Sequence, residues 1–281
     1  MIDVCGDIIP AYHFMLRRHV FMLYTYRSRL NQLPLDLKCE LGELVYQKGM
    51  LPESRKSKAV ELFTKYKVEF IEVGTGTNRF IVKYDDYALK IALDNDGVAD
   101  NKQEYAMCDI LKHGMSYSHE ISKGGNLLTA EYCPAMTSYQ ELYNHRDEIK
   151  AILADWSSRC ILGDVGISRI NYANWGLRNG VEPVCIDYAY VFPSTTKIFK
   201  CICGASDIAH TDETYTVYKC LSCGRIIEDS TLRQRITPEA RMRMLANATL
   251  GSIEMTEKTK TVEIPDMYIK KPVLSDDPDF V

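Results

Sequence analysis

From Val68 onward the chain presents three short runs of β-forming residues in close succession: Phe70-Ile71-Glu72-Val73, Phe80-Ile81-Val82-Lys83-Tyr84 and Tyr87-Ala88-Leu89-Lys90-Ile91-Ala92. Branched and aromatic side chains suit a pleated surface, and Gly74-Thr75-Gly76 and Asp85-Asp86 supply turn residues between the runs. Links this short join antiparallel neighbours, since a parallel pair needs a crossover of a dozen or more residues. Further strands are expected around Tyr117–Ile121 and Leu127–Tyr132, completing a small antiparallel sheet.

Helical patterns flank the sheet. Residues 10–33 are rich in aromatic and apolar side chains (Tyr12, Phe14, Leu16, Phe21, Leu23, Tyr24), with Pro34 expected to close the segment. A second helix is expected from Ser54 to Tyr66 and a third from about Asn101 to Leu111. Tyr139–Tyr143 and Arg146–Cys160 follow, the latter carrying Ile149, Ile152, Leu153 and Trp156 on one face. Near the end, Thr237-Pro238-Glu239 fits a capped helix start, and Ser275-Asp276-Asp277-Pro278-Asp279 reads as a disordered acidic tail.

A chain of 281 residues, 46% of them apolar, can bury a substantial core. Its net charge of −4 gives no general attraction to nucleic acid or to an anionic membrane surface. Arg17, Arg18 and His19 interrupt the apolar stretch from Tyr12 to Tyr26, and no apolar run is long enough to span a bilayer. A soluble, cytoplasmic chain with no membrane partner is expected. Of ten cysteines, Cys5, Cys39, Cys108, Cys133, Cys160 and Cys185 lie singly in apolar segments, where cysteine acts as a small buried hydrophobe. A reducing compartment follows, with the other four as metal ligands.

Those four stand in Cys201-Ile202-Cys203-Gly204 and Cys220-Leu221-Ser222-Cys223-Gly224. The two close pairs look like the knuckles of a zinc ribbon, in which four thiolates surround one Zn²⁺ and glycine permits each tight turn. The intervening residues suit a short hairpin, and His210 is a substitute ligand. Lys197, Lys200, Lys219, Arg225, Arg233, Arg235, Arg241 and Arg243 make residues 197–243 locally basic. A solvated surface is the simpler reading of that patch, and contact with nucleic-acid phosphates the alternative.

Four further residues carry chemistry: Lys90 at a strand end, Glu104 on the next helix, and Asn174 and Asp187 in Asn174-Trp175-Gly176 and Ile186-Asp187-Tyr188-Ala189. A cation for phosphates, a group to hold it still and oxygen ligands for Mg²⁺ are what binding of a nucleoside triphosphate requires. Over roughly residues 68–192 the order of these elements resembles the protein-kinase-like fold. Tyr87-Ala88-Leu89-Lys90 is similar to the Val-Ala-Ile-Lys strand of that family, and Ile71-Glu72-Val73-Gly74-Thr75-Gly76 to its glycine-rich loop. The resemblance implies that Gly74 and Gly76 cover ATP phosphates and that Lys90 contacts them. Glu104 would pair with Lys90, although Asp94 and Asp100 are rival partners. Ala130-Glu131-Tyr132-Cys133-Pro134 is similar to the hinge, which implies that the backbones of Glu131 and Cys133 bind the adenine edge. Asn174 and Asp187 would be the Mg²⁺ ligands. The Asn-Trp-Gly core also resembles kinase-like proteins of bacteriophages, for which the compartment would be the host cytoplasm.

Two departures stand out. Arg79 occupies the place of the third glycine of the loop. Arg169 occupies the place of the base aspartate in H-R-D-x-x-x-x-N, and a guanidinium cannot accept a proton. Asp164, in Leu162-Gly163-Asp164, resembles the Gly-Asp approach to the catalytic loop of aminoglycoside-kinase-like enzymes and is the candidate replacement.

The expected architecture is therefore α+β and two-lobed, with a helical extension over 1–66, a kinase-like N-lobe over 67–133 and a reduced C-lobe over 134–198. A zinc ribbon over 199–228 and a C-terminal helix with its tail over 229–281 complete it. ATP, Mg²⁺ and Zn²⁺ are the implied cofactors. Three functions are consistent with this pattern: an atypical phosphotransferase acting on a hydroxyl acceptor; a pseudokinase that binds a protein through its N-terminal helix or ribbon; and a zinc-ribbon protein associated with nucleic acid or a polymerase.

Overall fold

The computed structural model describes residues 28–194, 201–228 and 240–243. Most of the helix expected over 10–33, the helix start at Thr237-Pro238-Glu239 and the tail at 275–279 lie outside the described residues, as do Cys5, Lys197, Lys200, Arg233 and Arg235.

The β-rich region forms a mixed α+β layer around one five-stranded antiparallel sheet. Its strands are β1 (Ile71–Thr75), β2 (Arg79–Tyr84), β3 (Tyr87–Ala92), β4 (Ser118–Ile121) and β5 (Leu127–Glu131), in the order β1-β2-β3-β5-β4. β3 lies at the centre, and all six of its residues are buried. Strand alternation divides them between two environments. Tyr87, Leu89 and Ile91 join Phe80 and Val82 in the core, while Ala88 and Lys90 line a cleft on the other face. Asp85 makes the β2–β3 turn at φ 54°. The glycine turn is displaced from expectation: Gly74 and Thr75 extend β1, and the reversal falls on Gly76–Asn78, where the Gly76 N–H donates to Arg79 O at 3.0 Å.

Two helices, α1 (Leu35–Glu43) and α2 (Pro52–Lys65), cover the Leu89 face. Leu37, Leu41, Leu62 and Phe63 pack there against Phe80 and Ile91. The described end of the segment expected as a helix over 10–33, residues 28–33, is not an α-helix that Pro34 could close. Residues Leu30–Gln32 form a single 3₁₀ turn, and Pro34 instead opens α1, whose first turn tolerates its missing N–H.

The long helix α3 (Asn95–Leu111) starts six residues before the expected Asn101. Asp94 caps it, its carboxylate accepting from the Gly97 N–H at 2.8 Å. Gly97 lets the first turn press against the Gly76–Asn78 reversal before β2, because a Cβ there would stand 2.2 Å from Asn78 O. The middle of α3 buries polar groups, namely Asp100, Asn101, Gln103 and Glu104, and its end buries Met107 and Leu111.

Met107 and Leu111 reach a second core beneath the sheet, built on α4 (Tyr139–Asn144) and α5 (Arg146–Ser157). There Trp156 stacks on Trp175, with ring centroids 6.4 Å apart. Both indoles satisfy their N–H groups, Trp156 on His113 O at 3.1 Å and Trp175 on Val165 O at 3.0 Å. α5 ends at Ser157, and Cys160 begins the next strand. β6 (Cys160–Leu162) pairs with β9 (Val191–Pro193), and β7 (Trp175–Arg178) forms a hairpin with β8 (Glu182–Cys185).

The cysteine module is a three-stranded antiparallel sheet of β10 (Ile208–His210), β11 (Val217–Cys220) and β12 (Ile226–Glu228). It packs on β6 and β9 through Tyr218 and Ile227 against Ile161 and Phe192. The Tyr218 hydroxyl donates to Leu162 O. Cys133, Cys160 and Cys185 are buried as expected, Cys108 is half-buried, and Cys39 is exposed on the outer face of α1. No described helix is long and apolar enough to cross a membrane.

Alanine is a better helix former than glycine, yet Gly97→Ala should destabilise the protein by about 1–3 kcal/mol, the usual cost of overpacking. Chemical denaturation measures this. A stability equal to or above that of the parent would contradict the close approach of α3 to the Asn78 carbonyl.

Candidate functional site

The cleft has a volume of about 230 Å³ and lies between the β1–β3 face and the β7–β8 hairpin. Strand alternation places Lys90 in it, and the lysine is 3% exposed. Its ammonium donates to Glu104 Oε2, and to Ile186 O at 2.7 Å. Of the three carboxylates proposed for Lys90, the structure brings Glu104 to it; Asp94 is the helix cap, and Asp100 serves other cations. Gly74 and Gly76 form the upper edge, and Glu131 and Cys133 the inner wall, with Ala88 and Ala135 between them.

Asn174 and Asp187 meet because they flank the open end of the β7–β8 hairpin. Trp175 pairs with Cys185, and the N–H groups of Ile186 and Asp187 both donate to Asn174 O, at 2.8 and 3.3 Å. Both side chains line the cleft. Gly176 permits the hairpin to lie against the inner wall, since a Cβ there would stand 2.7 Å from Pro134 O and 3.1 Å from Cys133 O.

Neither candidate for the missing base lines the cleft. Arg169 is exposed, its guanidinium 5.9 Å from the Tyr139 ring centroid. Asp164 sits beside Asn174 through its backbone: at φ 61°, its carbonyl accepts from Asn174 Nδ2 at 2.6 Å.

The sequence reading missed the residue that dominates the electrostatics. Arg79, treated as a lost glycine, is buried and turned inward. Its Nη1 lies 2.9 Å from Glu104 Oε1, its Nη2 2.8 Å from Asp187 Oδ1, and its Nε 3.9 Å from Asp100 Oδ2. Asp100 in turn accepts from Arg241 Nη1 at 2.6 Å. Arg241 was placed in the basic surface patch, but it is buried: it also donates to Ala189 O at 2.9 Å and lies over the Tyr190 ring. An arginine next to a proline-led helix start reads as surface charge when its acidic partner lies far away in sequence, which is why no local signal marks it.

These pairs set the titration of the site. Burial alone would raise the Asp187 carboxyl, but the Arg79 and Lys90 charges outweigh it and hold the group down at about 2. Burial raises the Glu104 carboxyl, opposed by the same two cations. At the inner wall, burial pushes the Cys133 thiol up to about 12, leaving it a neutral lining group. The Glu131 carboxylate is bound by Arg178 in a two-pronged contact of 2.7 and 2.8 Å and faces that arginine rather than a ligand.

Cys201, Cys203, Cys220 and Cys223 bring their sulfurs within 4.8 Å of one another and could hold a metal such as zinc. Cys201 and Cys223 are 3.6 Å apart, as are Cys203 and Cys220. A tetrahedron with Zn–S bonds of about 2.3 Å requires sulfurs about 3.8 Å apart, so the donors fit. Backbone N–H groups of Cys223 and Ser222 bring the Cys220 thiol down to about 7, toward the thiolate a metal needs. His210 is not part of the cluster. Its ring lies 4.4 Å from that of Tyr218 at a tilt of 42° and 5.2 Å from that of Tyr215 edge to face, and burial lowers its imidazole to about 4. In comparisons with known proteins, no family model and no curated protein matches this chain.

Two outcomes follow. The purified protein should carry one zinc per chain, released by thiol modification and measured with a colorimetric chelator. Cys220→Ser should carry less than a tenth of that, whereas equal zinc in both would rule out the cluster as its holder. A base with a depressed folded pKa destabilises the protein as it charges on unfolding. The contribution of His210 is therefore present above pH 6.5 and is lost as pH falls toward 4. Denaturant unfolding between pH 7 and 4.5 should lose stability with acidity, less steeply in His210→Phe; identical slopes would contradict burial of the neutral ring.

Proposed function

We propose that this protein binds a nucleoside triphosphate in the cleft, within a divergent two-lobed fold of the protein-kinase-like type, and that its phosphoryl-transfer machinery is reduced. The observation that carries this reading is the buried Lys90–Glu104 pair at the floor of a cleft also lined by Gly74, Gly76, Asn174 and Asp187. A buried ammonium braced by a carboxylate is held in one position, which is what recognition of a phosphate by a point charge needs. Ala88, Ile81 and Cys133 offer apolar contact to a base, and the main chain from Glu131 to Cys133 offers its hydrogen-bonding groups along the base edge. Without a Cβ, Gly74 and Gly76 let phosphate oxygens come close to the main chain at that edge, although the Gly76 N–H is itself committed to Arg79 O.

The resemblance implies Mg²⁺ between Asn174 and Asp187, and in this structure Arg79 competes with that ion for the aspartate. Asp187 Oδ1 is already taken by Arg79 at 2.8 Å, whereas the contact of Asn174 with Asp164 O uses its Nδ2 and leaves Oδ1, the atom that would ligate a metal. With no carboxylate in the place of the base and the aspartate already paired, a binding protein accounts for the site better than an efficient enzyme.

A second reading rests on Asp164, whose backbone contact with Asn174 holds it next to the cleft. On that reading its carboxylate orients a hydroxyl acceptor for the terminal phosphoryl group. Phosphoryl transfer depends chiefly on positioning and charge neutralisation, and general-base help contributes only about 10²–10⁴-fold. The ribbon supports a structural role more than nucleic-acid binding, since Arg241 is withdrawn from the basic patch and Tyr218 is used in packing.

ATP at a hundredfold excess over its dissociation constant should stabilise the folded chain by about 2.7 kcal/mol, read as a rise in Tm. Lys90→Met should abolish the shift, and the absence of a shift in the parent protein would contradict the reading. Sustained release of ADP that is lost in Asp164→Asn would favour the phosphotransferase over the binding protein.

A further inference from the structure

We infer that Arg79 takes the place of a divalent cation in the cleft, so that the triphosphate binds without Mg²⁺. This rests on the nucleotide reading above and adds to it the ionic form in which the ligand is taken. A divalent ion at such a site would have two tasks: to neutralise the aspartate facing the phosphates, and to present positive charge to them. Arg79 is placed for both.

The first task is met by the contact between Arg79 Nη2 and Asp187 Oδ1 at 2.8 Å, which cancels the one cleft-lining carboxylate that would repel a phosphate. Asp187 keeps 37% of its side chain exposed, toward the cleft, whereas Arg79 keeps 4%. The guanidinium is thus the fixed partner, and it stays charged at any pH the protein survives.

For the second task, Arg79 lines the cleft, with Nη1 2.9 Å from Glu104 Oε1 and Nη2 2.8 Å from Asp187 Oδ1. With five N–H donors in a planar fork, a guanidinium at the cleft wall can hold Asp187 and present positive charge to a phosphate oxygen as well. The charges around it already cancel: Arg79, Lys90 and Arg241 face Asp100, Glu104 and Asp187.

The test is the affinity of the parent protein for ATP, with and without Mg²⁺. Metal should be removed by passing buffers over a chelating resin and not by a soluble chelator, so that the cysteine cluster keeps any metal it holds. The dissociation constants in 5 mM Mg²⁺ and in metal-free buffer, about a hundredfold apart or more for a site built on an ion bridge, are expected to agree within about threefold. In Arg79→Gln, binding in metal-free buffer should weaken at least about tenfold, with Mg²⁺ restoring part of the loss. A parent protein that binds ATP only with Mg²⁺ would overturn the inference and leave the nucleotide reading standing. Failure to bind ATP in either buffer would overturn the nucleotide reading and this inference with it. The comparison on the parent chain decides the matter even if Arg79→Gln does not fold.

Discussion

Three cations and three carboxylates share one buried site, and the arrangement of the rest of the chain depends on them. Arg79 comes from β2, Lys90 from β3, Asp100 and Glu104 from α3, Asp187 from the segment after β8, and Arg241 from the helical residues 240–243. Each ion costs several kcal/mol to remove from water, and removing one member of a buried pair typically costs about 3–5 kcal/mol, because its partner is left uncompensated. Such a cluster contributes little net stability when complete. What it fixes is geometry: the sheet, the long helix and the hairpin below can be placed in few ways that pair all six charges.

That constraint explains how the two apolar cores are joined. One lies between the sheet and α1–α2, around Leu37, Phe63 and Leu89; the other lies around Trp156 and Trp175. α3 runs past both, with its polar middle in the ionic cluster and its apolar end in the lower core. The cleft is the space left where these layers diverge, and its walls are set by close contacts such as Gly176 against the Cys133 and Pro134 carbonyls. The cysteine module is held outside this arrangement, on β6 and β9, where Tyr218 reaches the Leu162 carbonyl. Its role in the fold is to cover Ile161 and Phe192. The chain then returns to the ionic cluster at Arg241.

Much of the sheet was legible in the sequence because alternation and turn residues are local signals. β3 was placed residue for residue, and β2 and β5 within one. The start of α3 was not, since Asp94-Asn95-Asp96-Gly97 has the composition of a turn; only the contact of Gly97 with Asn78 O shows why glycine is needed inside a helix there. Pro34 was read as a stop because proline ends helices as readily as it starts them, and the burial of Leu37 and Leu41 that decides between the two is tertiary. Lys90, Glu104, Asn174 and Asp187 were picked out by their local frames; Lys90, Asn174 and Asp187 line the cleft, and Glu104 contacts Lys90 behind it. Arg79 and Arg241 were not picked out, because an arginine carries no sign of whether its partner is water or a carboxylate brought from a distant element. The misreading of Arg79 matters most, for it changes the charge of the pocket that Lys90, Asn174 and Asp187 line.

The most direct test of this account is a double-mutant cycle on Arg79→Met and Asp187→Leu, with stability measured by denaturant unfolding of the two single variants, the double variant and the parent. If the ionic cluster ties the sheet to the hairpin below it, the double variant should be more stable than the sum of the single losses predicts, by about 1–3 kcal/mol, the range found for residues in direct contact. Losses that add within about 0.5 kcal/mol, as they do for independent sites, would show that the two side chains do not meet.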